Sequence, residues 1–396
     1  MSELGTAFTL FALPLLVFEL TGSSVDLGIA TAASFLPYLL FGLALGAWGD
    51  RFDRRGMMIA TDLARAAVIT TIPFVAGLGV LHVWWIYAVT FAAATLSIAF
   101  DASSSAVVPS LLDPDEFVAG NSRLLIGSQI GHVVGPLLAG ALIGTGLGTA
   151  TILYADAASF LVSAASIGLI ATPLSADPAA HRATTSLRAD IGVGLRYVLS
   201  DPMLRNLALL SALVNFTIAT QWTQLVLFAK EQLDASNTQI SVLWSAGSAG
   251  VIVFALAASR LRRRLGFGGS VLGPLAVGGL AVVALAWTPW FWAAVGLWAL
   301  RLGLGQFASV NSASLRQAIT PRNLLSRVDT IARVASWSAI PAGALLGGWA
   351  IEATGSVQAV YAGTGVVCLL LAAAFSFSAI GQAEPLLSGT GRARAA

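Results

Sequence analysis

Twelve transmembrane α-helices in two sets of six are predicted from three observations. Charge is scarce, apolar runs of about 20 residues recur along the chain, and an internal repeat lays the second half on the first. Of 396 residues only 10% are charged and 57% are hydrophobic, with a mean hydropathy of +0.83. A soluble domain carries roughly 25% charged and 45–50% apolar residues. The fold class is therefore all-α and integral to the membrane. No stretch has the period-two alternation that an outer-membrane barrel needs. Forty glycines and fourteen prolines fit this class, because neighbouring helices re-satisfy the backbone groups they free.

Apolar runs that meet the length needed to span a bilayer lie near residues 5–21, 26–48, 58–80, 83–105, 122–145 and 149–171, and then near 204–229, 240–259, 269–287, 290–314, 325–350 and 357–380. The first is the shortest. From Gly5 to Leu20 there are 16 residues, about 24 Å of helix against a hydrocarbon core near 30 Å. Helix 1 is accordingly predicted to be truncated, with the natural start upstream. The predicted organisation is an N-terminal six-helix bundle over 1–171, a cytoplasmic linker over 172–203, a C-terminal bundle over 204–380 and a cytoplasmic tail over 381–396.

Basic residues sort the two sides. Arg51, Arg54 and Arg55 follow the second span, Arg260, Arg262, Arg263 and Arg264 the eighth, and Arg316 and Arg322 the tenth; Arg182, Arg188 and Arg196 lie in the central connection. By the positive-inside rule both termini and the linker are cytoplasmic. Trp84, Trp85, Tyr87, Trp287, Trp290 and Trp292 cluster at the opposite ends of their spans, where an aromatic belt is expected. A shift of 207 residues lays Pro114 on Pro321, Gly140 on Gly347, Gly148 on Gly355 and Tyr154 on Tyr361, the pattern of a duplication. Parallel six-span repeats are a transporter architecture with the substrate path at their interface. In the linker, Leu187, Ile191, Leu195, Val198 and Leu199 lie on one side of a helical projection and Arg188, Asp190 and Arg196 on the other. That is an amphipathic surface helix, either a brace between the halves or a solvated connection.

The segment Gly46-Ala47-Trp48-Gly49-Asp50-Arg51-Phe52-Asp53-Arg54-Arg55 concentrates charge in a chain that has little of it. Asp50 at the C-terminal end of a helix opposes that helix's dipole and requires a partner, while Gly46 permits close helix approach. The segment resembles the loop signature G-x-x-x-D-R-x-G-R-R of the major facilitator superfamily, with Asp53 where glycine is usual. The resemblance implies the superfamily's fold and a cytoplasmic latch made by Gly46, Asp50, Arg51, Arg54 and Arg55. The corresponding connection of the second half, Arg260 to Gly266, has the basic residues and no acid. Gly131-His132-Val133-Val134-Gly135-Pro136-Leu137-Leu138-Ala139-Gly140 is similar to the superfamily's antiporter motif G-x-x-x-G-P-x-x-G-G, with Ala139 replacing one glycine. Gly131 and Gly135 put bare backbone on one face, and Pro136 removes a donor. In the family this motif accompanies export. Thr21-Gly22-Ser23, Asp62-Leu63-Ala64-Arg65, Asp156-Ala157-Ala158-Ser159-Phe160, Asn311 to Pro321 and Pro341 to Gly348 resemble the branch that contains the enterobactin exporter and macrolide-efflux proteins.

Ionisable groups at membrane depth are costly and mark function or pairing. Arg301 lies mid-span and Asp156 about two turns into its span. His132 is read chiefly as packing, and Asp62 and Arg65, three apart, as a local pair. The resemblance places the first, fourth, seventh and tenth spans around a central cavity. Arg301, Asn215, Gln221 and Gln224 are therefore the substrate candidates, with Asp156 a coupling candidate. Asn215, Gln221 and Gln224 are expected on one side of their helix. Arg301 is expected either to bind an anionic group or to pair with a coupling carboxylate.

No catalytic constellation, metal site, cofactor site or phosphate-binding G-x-x-x-x-G-K-[ST] loop is present in the sequence. The single cysteine, Cys368, cannot form an internal disulfide. The expected function is secondary transport: a proton-coupled exporter of small amphipathic molecules such as drugs, natural products or siderophores, acting as a monomer in the cell membrane without nucleic-acid partners. The alternatives are an importer or facilitator on the same fold, or a non-transporting membrane receptor.

Overall fold

The computed structural model describes residues 2–49, 53–105, 117–170, 187–321 and 324–382. The chain divides into two compact units, Met1–Arg182 with Asp234–Ser245, and Ala183–Leu233 with Ala246–Ala396. Among the described residues ten helices are long and apolar enough to cross a membrane, and none of those residues forms a strand.

In the first unit α1 (Ser2–Thr21), α2 (Ser24–Gly49), α3 (Arg54–Gly77), α4 (Val83–Ser105), α5 (Phe117–Gly144) and α6 (Leu153–Gly168) follow the predicted runs. α1 has 20 residues, about 30 Å of helix, because Ser2, Glu3 and Leu4 precede Gly5 in the helix and Thr21 ends it. The length argument for a short first span therefore does not hold. Asp53, the departure from the loop signature, caps α3: its Oδ2 accepts from Gly56 N at 2.8 Å, satisfying one of the orphan donors of the helix start. The core of the unit is centred on α1, where Phe11, Ala12, Leu15 and Val17 are fully buried. α5 and α6 both pack on α1. A methyl group at Gly131 would lie 3.3 Å from the Glu3 carbonyl oxygen, and one at Gly135 would strike the Ala7 Cβ. The small face of α5 is therefore what lets two backbones approach.

The second unit begins with α7 (Leu187–Ser200), the predicted amphipathic helix. Its packing is narrower than its apolar stripe: Val198 is buried with Leu204 and Val328, whereas Leu195 and Leu199 are 44% and 52% exposed. α8 (Pro202–Thr223) starts under Asp201, whose Oδ1 accepts from Met203 N and Leu204 N, with Pro202 at the first turn. The predicted run 204–229 ends early as a single helix. Gln224 departs from helical geometry (φ −92, ψ 8) and the nine-residue α9 (Leu225–Leu233) follows. α10 (Asn237–Trp287), whose residues up to Ser245 belong to the first unit, covers two predicted spans and contains their boundary, Gly266, at φ 67 and ψ −175. Only glycine takes that conformation without strain. α11 (Phe291–Ile319), α12 (Leu325–Thr354) and α13 (Val357–Ser376) complete the unit.

One kind of helix crossing occurs in both units. α12 lies on α8 as α5 lies on α1: a methyl at Gly343 would strike the Phe216 backbone and one at Gly347 the Thr220 side chain. Thr220 Oγ1 donates to the Gly343 carbonyl at 2.8 Å. A core of Met203, Leu207, Leu210, Leu275, Leu315 and Cys368, among others, fills the space between α8, α10, α11 and α13.

Overpacking at Gly343 should cost about 1–3 kcal/mol. Cys368 is buried and is the protein's one thiol, so its unmasking to a maleimide dye on heating reports unfolding. Gly343→Val is expected to react at a lower temperature than the parent protein. Gly363→Val, with nothing within 4 Å of its added methyl, is expected to react like the parent.

Candidate functional site

The second unit encloses a cavity of about 650 Å³, every lining residue of which belongs to that unit. This is the size of a drug-binding pocket. α8 contributes Leu210, Val214, Asn215, Ile218 and Trp222, α11 contributes Arg301, Gly305, Ser309 and Arg316, and α12 contributes Asp329, Arg333, Ser336 and Trp337. One part of the wall is therefore apolar and aromatic, and another is polar and basic.

Arg301 is 2% exposed and held from behind. Its Nε donates to Gln221 Oε1 at 3.2 Å, and Gln221 Nε2 donates to Thr364 Oγ1 at 3.0 Å. Thr364 Oγ1 donates in turn to the Tyr361 carbonyl at 2.8 Å, and the Tyr361 hydroxyl donates to the Gln221 carbonyl. The Tyr361 ring stacks on Phe228 at 4.4 Å. A closed polar circuit from α8, α11 and α13 thus fixes the guanidinium in an otherwise apolar interior. Asn215 Nδ2 donates to Ser336 Oγ at 2.6 Å and to the Ser336 carbonyl at 3.1 Å. That bond ties α8 to α12 at the cavity wall.

The expectation that Asn215, Gln221 and Gln224 share one side is not met. Asn215 lines the cavity, while Gln221 and Gln224 are fully buried and outside its wall. Six residues advance a helix by about 600°, leaving Asn215 and Gln221 some 120° apart, and Gln224 lies beyond the helical segment. Sequence reasoning also passed over the ion pair of Arg316 and Asp329, 2.7 Å apart at the cavity wall, and the paired indoles Trp222 and Trp298. Their signal was available only as isolated polar and aromatic residues on separate helices.

In the first unit Asp156 is 1% exposed on α6. Thr9 Oγ1 donates to its Oδ2, and Ser159 Oγ donates to its Oδ1 at 3.3 Å. Asp156 and Arg301 belong to different units and have separate partners. Asp62 and Arg65 form the expected local pair, and both are buried. Arg65 lies between the Phe100 and Phe160 rings at 4.5 and 4.4 Å, a cation–π arrangement that sequence spacing could not reveal. On α5, Gly131, Gly135, Pro136 and Gly140 are buried, Val134, Leu137 and Leu138 are exposed and His132 is intermediate. Thr238 Oγ1 donates to the Gly140 carbonyl at 3.2 Å. Of the latch residues, Gly46 lies in α2, and Arg54 and Arg55 open α3, while Asp50 and Arg51 lie outside the described residues.

Removing the acceptor behind a buried guanidinium should be costly. Gln221→Leu is expected to destabilise the protein by about 1.5–3 kcal/mol, read as earlier thermal unmasking of Cys368. Gln221→Glu, which keeps an acceptor for Arg301, is expected to retain more of the stability than the leucine variant.

A model of the Major Facilitator Superfamily matches residues 1–328. Over 379 residues the chain is 27% identical to the multidrug efflux pump Tap of Mycolicibacterium fortuitum, covering 93% of this chain and 90% of that protein. It is 27% identical over 266 residues to the enterobactin exporter EntS of Salmonella choleraesuis, covering 67% and 62%. Among solved structures, the nucleoside transporter NupG superposes with a TM-score of 0.75 at 16% identity, over 94% of this chain and 96% of that one. A bacterial homologue of the human lysosomal transporter Spinster superposes at 0.72 and 16%, over 95% of each. These two likenesses concern the fold. The chain belongs to the major facilitator superfamily and is a multi-pass membrane transporter of small molecules, not an enzyme.

Proposed function

We propose that the protein exports small amphipathic molecules across the cell membrane in exchange for protons, by alternating access. The observation that carries this reading is similarity along 93% of the chain to a multidrug efflux pump. The buried Gly131, Gly135 and Pro136 face of α5 on α1 supports it, since the resembling motif accompanies export. In this reading twelve spans form two bundles, 1–171 and 204–380, joined by a cytoplasmic linker over 172–203. Both termini are cytoplasmic and the monomer is the working unit. Gly46, Asp50, Arg51, Arg54 and Arg55 act as the latch of one conformation. The cavity lined by Arg301 and Asn215 receives substrate, with Gln221 and Gln224 supporting its wall.

Asp156 is the proposed proton carrier. The hydroxyls of Thr9 and Ser159 donate hydrogen bonds to it. A hydroxyl donates to a carboxylate or accepts from a carboxylic acid with equal ease, so the site accommodates both states without rebuilding. Gly5 brings the α1 backbone directly onto Asp156 and Ser159. Protonation is therefore felt by the same helix on which α5 packs.

Energised cells expressing the protein are expected to hold less of a fluorescent drug than control cells, and a protonophore should abolish the difference. Export that persists unchanged after the gradient collapses, or accumulation that rises with expression, would leave an importer or facilitator. Asp50→Asn should slow turnover more than binding, because a latch changes the population of a state without touching substrate. Gly135→Leu, which drives a branched side chain into Ala7, should reduce export at normal membrane levels.

Asp156→Asn is expected to abolish gradient-driven export while substrate exchange in proteoliposomes at equal pH on both sides continues. Proton-driven export at the parent rate in Asp156→Asn would remove Asp156 from the coupling role.

A further inference from the structure

The cavity of the second unit has an imbalance of charge. Its wall carries three arginines, Arg301, Arg316 and Arg333, and one carboxylate, Asp329. That carboxylate is engaged, since Arg316 Nε donates to its Oδ1 at 2.7 Å. Arg301 has no carboxylate partner: among the described residues no ion pair forms on it, and its polar neighbours are Gln221 and the buried Cys368 thiol. Gln221 satisfies Nε, whereas Nη2 is shut off from solvent with no hydrogen-bond partner. A guanidinium at membrane depth is costly and is found paired or facing a polar cavity, and a buried donor left unmatched adds to that cost.

Two glycines leave room for this group at the cavity wall. Gly278 and Gly305 lie on either side of the Arg301 side chain: a methyl at Gly278 would sit 3.4 Å from Cδ, and one at Gly305 would sit 3.2 Å from Nη1. Gly305, one helical turn beyond Arg301, is itself part of the cavity wall. A side chain there would stand against Nη1 at the cavity wall. Trp222 and Ile218 on α8 supply an apolar and aromatic surface in the same cavity.

We propose that this cavity selects amphipathic anions, placing a carboxylate or sulfonate on the Arg301 guanidinium and an aromatic or aliphatic body against Trp222 and Ile218. The proposal rests on the reading of this cavity as the substrate site. It decides between the two roles open to Arg301 in the sequence, ligand anion or coupling carboxylate, in favour of the ligand. Arginine suits the role because its planar fork meets an oxyanion through two donors and keeps its charge. Arg333, exposed at the same wall, adds to the positive potential that draws an anion in.

Three dansyl probes that differ in head-group charge test this: N-dansyltaurine (anionic), dansylamide (neutral) and dansylcadaverine (cationic). Binding to the full chain in nanodiscs is read by energy transfer from tryptophan to the dansyl group. The sulfonate is expected to bind roughly tenfold or more tightly than the other two. Arg301→Gln should weaken the sulfonate by roughly 10- to 100-fold, the effect of losing a hydrogen-bonded charge, and leave dansylamide unchanged. Arg301→Lys should restore part of the preference. Gly305→Val, which keeps the charge but covers it, should also weaken the sulfonate selectively and so separates access from folding. Absent sulfonate binding, cation binding as tight as the sulfonate's, or an unchanged order of affinities in Arg301→Gln would overturn the proposal. Anion preference without proton-driven export would instead sink the exporter reading alone, and proton-driven export of cations with no anion preference would sink this proposal alone.

Discussion

The absence of water from the bilayer core governs this molecule. Every backbone donor and acceptor at that depth needs a partner within the protein, and helices meet that demand segment by segment. Association between the helices then depends on contact, since lipid tails are as apolar as the side chains that face them. The chain meets this second demand by removing side chains where helices cross. Gly131 and Gly135 bring α5 onto α1, and Gly343 and Gly347 bring α12 onto α8. Large apolar residues such as Leu256 and Leu370 remain 78% and 63% exposed, as a lipid-facing surface requires. The interior is thus organised by small residues and by the few polar groups that the crossings enclose.

Two buried arginines show how differently such groups can be treated. Arg65 has an ion-pair partner in Asp62, a hydrogen bond to Ser97 Oγ at 3.3 Å and the faces of Phe100 and Phe160 about it, although its Nε, like Nη2 of Arg301, has no hydrogen-bond partner. Its charge is enclosed within the first unit and has the character of a structural joint between α3, α4 and α6. Arg301 has Gln221 and the Cys368 thiol as its polar neighbours and lines the cavity. Both cost free energy to bury and each keeps one unmatched donor, but only Arg65 has a carboxylate partner among the described residues. The contrast lies in the partners and not in the residue type, so composition alone could not separate the two.

The same contrast separates the two units chemically. The first holds the hydroxyl-bound carboxyl of Asp156 and a closed Asp62–Arg65 pair. The second holds the cavity, with its surplus of guanidinium. Under the proposed mechanism, proton and substrate are handled by different halves of a duplicated chain. Communication between them would pass through helix movement and not through direct competition for one group. α1 suits that role, because Thr9 on α1 holds Asp156 and Ala7 on the same helix meets Gly135.

The sequence by itself determined what depends on periodicity, composition and local chemistry. It gave the membrane class and most span boundaries, because apolar length is a property of consecutive residues. The Asp62–Arg65 pair was legible because three residues make nearly one turn, as was the close-packing face of Gly131 and Gly135. Tertiary structure decided whatever joins residues from different helices. Gln221 reads in the sequence as one more polar residue of its span, yet it turns away from Asn215 to hold Arg301 and Thr364, residues 80 and 143 positions away. The break after Thr223 also escaped prediction, since hydropathy runs unchanged through a local loss of helical geometry. Whether Arg301 faced a carboxylate or an open cavity rested on Gly278, Gly305 and Asp329, which no spacing along the chain connects. Side-chain direction and the identity of long-range neighbours arise from how helices cross, and crossings depend on the shapes of both partners.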